Sequence, residues 1–210
     1  PIMWSDMFFR LTNHGYYYPE NPTITPEIKA SVPDGVGMVY WDYYHTDKNY
    51  FDKMMKAHFD LSDDVWFAGG AWTWIGFTCG NQKTLDTMIP AMESVKDFNV
   101  QNVLITLWGD NGKECSFYSM LPSLYAIKKH YDGETDTDKI KDGFKAITGE
   151  DFDHMMALDL PNLVAGNTDN EKCISKHMLY SDPFLGYLDS TVIDGVDKEY
   201  FSHAKTLSEY

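Results

Sequence analysis

Four times along the chain a short apolar run ends in an aromatic residue, and three of the four add a carboxylate one or two positions later. The stretches are Ile2-Met3-Trp4-Ser5-Asp6, Met38-Val39-Tyr40-Trp41-Asp42, Trp66-Phe67-Ala68-Gly69-Gly70-Ala71-Trp72-Thr73-Trp74 and Leu104-Ile105-Thr106-Leu107-Trp108-Gly109-Asp110. Taking one tryptophan from each stretch, those at 4, 41, 72 and 108 are separated by about one strand, one helix and two loops. That is the pitch of β/α units, which take about 30 or more residues each. Continuous apolar runs, rather than alternating ones, suit parallel strands buried on both faces.

The pattern predicts strands within 1–9 (with an exit loop), 37–41, 65–71 and 102–107. Between them it predicts helices over 47–59, 84–98 and 116–131, with Thr46 as N-cap of the first and Pro90 kinking the second or delaying its start. A brief helix is expected at Pro26–Ala30. His58 shares the apolar face of the 47–59 helix with Phe51, Met54, Met55 and Phe59, and reads as a packing histidine. Residues 13–22 form a long turn-rich segment carrying Tyr16, Tyr17 and Tyr18, and loops of that length are usually functional or disordered. The Gly69-Gly70 pair leaves room for close approach of a backbone or ligand.

From residue 133 the character changes to short helical patterns, near 139–147, 151–157 and 171–178, with a last helix from about Asp197. Between the last two lies a turn at 180–186 that includes Asp182. Residues 1–131 therefore read as four β/α units and 132–210 as a small helical domain. The class is α/β with a parallel sheet. Four units cannot close a barrel, which takes about eight, so the sheet is either open or half of a TIM-type barrel. The chain reads as a piece of something longer.

A net charge of −15 argues against nucleic acid and anionic membranes as partners. Arg10 is the single arginine, which disfavours an arginine-built phosphate site. No apolar run reaches the ~18 residues of a membrane span. Cys79, Cys115 and Cys173 are odd in number and lack close pairing, so they read as free thiols and lean towards a reducing, cytoplasmic compartment. Seven histidines without ligand spacing give no metal site, and no phosphate-cradling or nucleotide motif calls for a cofactor.

Trp4, Trp41, Trp72, Trp74 and Trp108 fall at or near the carboxyl ends of the expected strands, where parallel sheets bind ligands. A set of indoles there offers flat apolar walls with N–H donors at the rim, a surface suited to the C–H face of a sugar. Asp6, Asp42 and Asp110 stand beside three of them. They read either as acceptors for sugar hydroxyls or as a pair acting as general acid and nucleophile or base. Glu114 is expected in the first turn of the following helix.

In these segments the sequence resembles glycoside hydrolase family 20, the exo-β-N-acetylhexosaminidases. Trp4-Ser5-Asp6-Met7-Phe8-Phe9 is similar to that family's fifth-strand segment, Tyr40-Trp41-Asp42-Tyr43-Tyr44 to its sixth, Ala71-Trp72-Thr73-Trp74 to its seventh-strand exit, and Leu107-Trp108-Gly109-Asp110-Asn111 to its eighth-strand Trp-Gly-Glu motif. The resemblance covers essentially the whole chain and implies strands five to eight of a (β/α)8 barrel followed by a helical C-terminal domain. It implies removal of terminal β-linked N-acetylhexosamine, with the sugar's own 2-acetamido oxygen attacking the anomeric carbon. Trp4, Trp41, Trp72 or Trp74, and Trp108 would enclose the acetamido group, and Asp110 would hold sugar hydroxyls.

Two departures stand out. The family's adjacent Asp-Glu catalytic pair is absent, since no such dipeptide occurs in the 210 residues. Trp72-Thr73-Trp74 replaces the usual seventh-strand tyrosine, so Tyr43 or another tyrosine would supply that hydroxyl. The expectation is sugar contacts without a catalytic acid, hence an inactive chain on its own. Its expected partners are N-acetylhexosamine-containing glycans and either a second copy or the missing half of the barrel. Two alternatives remain: a non-catalytic carbohydrate-binding or scaffold half barrel, and an unrelated retaining glycosidase using Asp42 and Asp110.

Overall fold

The computed structural model describes residues 1–166, 173–181 and 183–210. Residues 171 and 172 of the expected 171–178 helix, and Asp182 of the expected turn, lie outside the described residues. The chain is α/β, with one four-stranded parallel sheet and, among the described residues, nine α-helices. It divides into two compact units, Pro1–Gly70 with Asp86–Thr106, and Ala71–Leu85 with Leu107–Tyr210.

The first unit holds the whole sheet, β1 (Ile2–Trp4), β2 (Gly37–Trp41), β3 (Val65–Gly70) and β4 (Asn102–Thr106), in that order with every neighbouring pair parallel. Met3 pairs with Met38, Val39 with Trp66 and Ala68 with Leu104. Residues Gly37–Tyr40 of β2 and nearly all of β3 are buried on both faces, as central parallel strands require. β1 departs from the expected buried strand, because as a sheet edge it leaves all three side chains exposed. It is also shorter than expected. After Ser5 the chain turns at once into α1 (Asp6–Thr12), which buries Phe9.

α2 (Pro26–Ala30) starts behind Thr25, whose hydroxyl accepts from Ile28 N–H. α3 (Lys48–Leu61) places Phe51, Met54, Met55, His58 and Leu61 inward at helical spacing. Its N-cap is Asp47, not Thr46: the Asp47 carboxylate accepts from the N–H of Asn49, two residues on. α4 (Asn81–Asp97) begins three residues before the expected start and runs through Pro90. Burial of Met88, Ala91, Met92 and Val95 around that proline outweighs the missing hydrogen bond.

The second unit is built on α5 (Leu121–Tyr131), α6 (Thr137–Thr148) and α7 (Phe152–Met156), joined through edge-to-face contacts of Phe144 with Tyr125 and Phe152 at 5.8 and 5.5 Å. The expected 116–131 helix opens as a 3-10 turn over Phe117–Met120, and α5 proper starts with Pro122 in its first turn. Asp136 and Asp151 cap α6 and α7, and Gly149 ends α6 in the left-handed region at φ 81°. α8 (Ile174–Tyr180) and α9 (Val196–Leu207) meet over Val164, Ile174 and Val196.

Candidate functional site

At the carboxyl end of β2 the backbone turns sharply around one carboxylate. Asp42 Oδ1 accepts the N–H groups of Tyr44 and His45 at 3.0 and 3.2 Å, an Asx-type turn. Its Oδ2 accepts Tyr40 Oη and His45 Nδ1, both at 2.8 Å. Asp42 is only 1% exposed. These four donors replace the water a buried carboxylate loses. They also commit it, so Asp42 faces a ligand only through the groups it holds.

His45 is the outermost of those groups. Its ring stacks on Tyr50 at 3.8 Å and 16°, and Tyr18 lies across it at 5.1 Å. Asp42 holds its Nδ1, while Nε2 has no hydrogen-bond partner among the described residues.

The loop from Asn13 to Thr25 delivers the neighbouring tyrosines. Asn13 pins it: Nδ2 donates to Phe9 O and Thr23 O, and Oδ1 accepts Thr23 N–H. Tyr17 Oη accepts Trp41 N–H at 3.1 Å, and Tyr18 Oη donates to Trp41 O at 2.9 Å. Tyr17, Tyr18 and Tyr43 rings lie 4.7, 5.4 and 5.5 Å from Trp41, and Tyr44 continues the series 6.0 Å from Tyr43. Burial pushes the phenols of Tyr17, Tyr18 and Tyr40 well above their ordinary range, with Asp42 adding to the effect, so they stay neutral hydroxyls. Tyr17 and Tyr43 are buried, Tyr18, Trp41, His45 and Tyr50 are half-buried, and Tyr44 is exposed. The result is an aromatic surface with one oriented imidazole.

The other two candidates of this unit stand apart in role. Trp4 is exposed on edge strand β1. Asp6 sits in the first turn of α1, where the helix dipole favours a carboxylate, 3.7 Å from Arg10.

In the second unit Trp72 and Trp74 stack on each other at 4.4 Å and 28°, and both are buried. Trp72 N–H donates to Thr84 Oγ1, and Lys83 Nζ lies 3.9 Å over the Trp72 ring. Thr73 Oγ1 donates to Trp108 O at 2.6 Å. Trp108 itself is 42% exposed, and Asp110 is exposed in a 3-10 turn. Glu114, expected in a helix, instead lies between two 3-10 turns, with Lys176 Nζ at 2.7 Å and Tyr180 Oη at 3.3 Å. That ion pair holds its carboxyl below the usual range, against the opposing pull of burial.

All three cysteines are buried free thiols. Hydrogen bonding with Cys115, burial and Asp159 raise Cys79, and the same thiol–thiol contact lowers Cys115. Among the described residues no three His, Cys, Asp or Glu side chains gather to hold a metal ion. No described helix is long and apolar enough to cross a membrane.

Sequence reasoning passed over His45. The available signal was its position three residues after a strand-end aspartate, the spacing at which a turn folds a side chain back onto that carboxylate. Comparison with models of known protein families and with curated proteins gives no match to this chain.

Proposed function

We propose that the chain carries sugar-binding surfaces of a β-N-acetylhexosaminidase resembling glycoside hydrolase family 20. The observation that carries this reading is the aromatic surface at the carboxyl end of β2, in a sheet whose parallel strands follow sequence order. Doubly wound sheets reverse their strand order at a switch point, whereas barrels wind in one direction. The order therefore supports strands five to eight of a (β/α)8 barrel. On this reading β1 and β4 are covered by the other half of the barrel or by a second copy.

The first unit offers Trp41, Tyr18 and Tyr44 as a wall for the C–H face of a sugar. The second offers exposed Trp108 and, two residues on, the Asp110 carboxylate as an acceptor for sugar hydroxyls. In substrate-assisted cleavage the 2-acetamido oxygen is the nucleophile, an exception to the two-carboxylate scheme. The acid that protonates the leaving group would come from outside these 210 residues, which contain no Asp-Glu dipeptide. A retaining mechanism with Asp42 as nucleophile has less support, because four donors already occupy that carboxylate.

Calorimetric titration with N-acetylglucosamine should give binding that weakens ~10-fold in Trp108→Ala and in Trp41→Ala, the size expected for losing one aromatic contact. An aryl N-acetyl-β-glucosaminide should not be turned over. Absence of binding would overturn the sugar reading, and robust turnover would overturn the missing catalytic acid.

A further inference from the structure

We propose that His45 Nε2 is a hydrogen-bond acceptor for a sugar hydroxyl, with Asp42 as the positioning residue that decides which ring nitrogen faces the ligand. The proposal rests on the sugar-binding reading and names the polar group that would fix the sugar against the aromatic wall.

Two histidines of the same unit make the contrast. His58 is fully buried with both nitrogens engaged, Nδ1 donating to Met54 O at 2.6 Å and Nε2 at 2.7 Å from Ser5 Oγ. It sits between the rings of Phe9 and Tyr40 at 4.3 and 4.5 Å. That is a satisfied core residue. His45 is held as firmly on three sides, by Asp42 at Nδ1, Tyr50 on one face and Tyr18 across the ring. Its fourth side is the open Nε2, on a side chain that is 31% exposed. An imidazole fixed this closely, with its remaining nitrogen outward at the carboxyl end of a parallel strand, has the geometry of a ligand contact.

The chemistry of the contact follows from the tautomer. A carboxylate only accepts, so in the neutral ring the proton sits on Nδ1 and Nε2 presents a bare lone pair. Such a group accepts from an alcohol O–H. The adjoining faces of Tyr18 and Tyr44 suit an apolar C–H surface. A sugar ring carries both features. A cation at Nε2 would need further ligands, and no such group gathers among the described residues.

Asp42→Asn separates orientation from mere packing. With Oδ1 kept on the Tyr44 and His45 N–H groups, the amide NH2 replaces Oδ2 and donates to Nδ1. The ring proton then moves to Nε2, and the outward nitrogen changes from acceptor to donor.

The test is long-range 1H–15N NMR of the histidine rings in the 210-residue chain, at about pH 8 where an ordinary imidazole is neutral. The expected result is an unprotonated His45 Nε2 whose resonance shifts on adding N-acetylglucosamine. His45→Ala should lose ~10-fold in affinity, the scale of one good hydrogen bond. His45→Gln, which still carries a carbonyl acceptor, should recover part of it, and Asp42→Asn should invert the tautomer. If the wild type binds the sugar, but Nε2 does not respond and His45→Ala binds within about twofold, the His45 contact is overturned while the sugar reading stands. Loss of binding in His45→Ala that comes only with a lower melting temperature, and without rescue by Gln, also overturns it. A wild type that does not bind the sugar overturns both.

Discussion

His58 illustrates what full burial does to a titratable side chain here. Desolvation lowers it from 6.5 to about 3, against the opposing pull of its hydrogen bond to Met54 O. The folded protein therefore keeps the ring neutral across a range in which the unfolded chain protonates it. Below about pH 6.5 the unfolded state binds the extra proton, so stability falls as pH drops from 6.5 towards 3, by up to ~1.4 kcal/mol for each pH unit. In urea unfolding, His58→Gln should cost about 1–3 kcal/mol at neutral pH through lost stacking. The gap to wild type should then narrow steadily between pH 6 and pH 4, where wild-type His58 alone bears the protonation penalty; a gap of constant size would contradict the neutral assignment. This residue was legible in the sequence because it falls on the same helical face as Phe51, Met54 and Met55. His45 was less so, since its spacing from Asp42 hints at a return to that carboxylate, but the rings of Tyr50 and Tyr18 that fix its outward nitrogen come from other segments. The burial of Asp42 was not, since it depends on Tyr40 Oη and two backbone N–H groups converging on it.

Among the elements, β3 and α4 come together at Gly69 and Met88. A Cβ there would run into the Met88 thioether and come within 3.1 Å of the Phe67 ring. The room suggested by the Gly69-Gly70 pair is thus taken by a helix side chain. Gly69→Ala should destabilise the first unit by about 1–2 kcal/mol, towards the lower end of overpacking costs because a methionine can shift its terminal atoms. Unchanged denaturant midpoints would show that Met88 moves freely. The strand ends and the central helices were legible, because apolar runs and helical spacing dominate there. α1 was hidden, because Phe8 and Phe9 extend the apolar run of β1 and so mask a helix of only seven residues. The start of α4 was hidden for a different reason. Its first N–H groups, on Asn81 and Gln82, are capped by Asp159 at 2.8 and 2.7 Å, a partner 78 and 77 residues away that no local pattern reveals.

On the scale of the whole molecule, edge chemistry and net charge oppose each other. β1 and β4 bound the sheet, and on β1 the side chains of Ile2, Met3 and Trp4 are each at least 40% exposed. A strand edge of this kind presents unpaired backbone groups beside apolar side chains, a template for another chain. A net charge of −15 works against association by mutual repulsion, and salt screens that repulsion. The expected behaviour is therefore self-association that strengthens with ionic strength, opposite to the response of a complex held by complementary charges. Light scattering should give a mean mass close to that of a single chain at ~10 mM salt, rising with protein concentration at ~500 mM, as the screening length shrinks from ~30 Å to a few ångströms. Met3→Lys, which puts a strongly hydrated ammonium on the open strand that pairing would have to desolvate, should restore the single-chain mass at high salt without lowering the melting temperature, because the side chain is already exposed. A single-chain mass at every salt and protein concentration would mean that the edges of this sheet need no cover. An unchanged oligomer in Met3→Lys would place the contact away from β1.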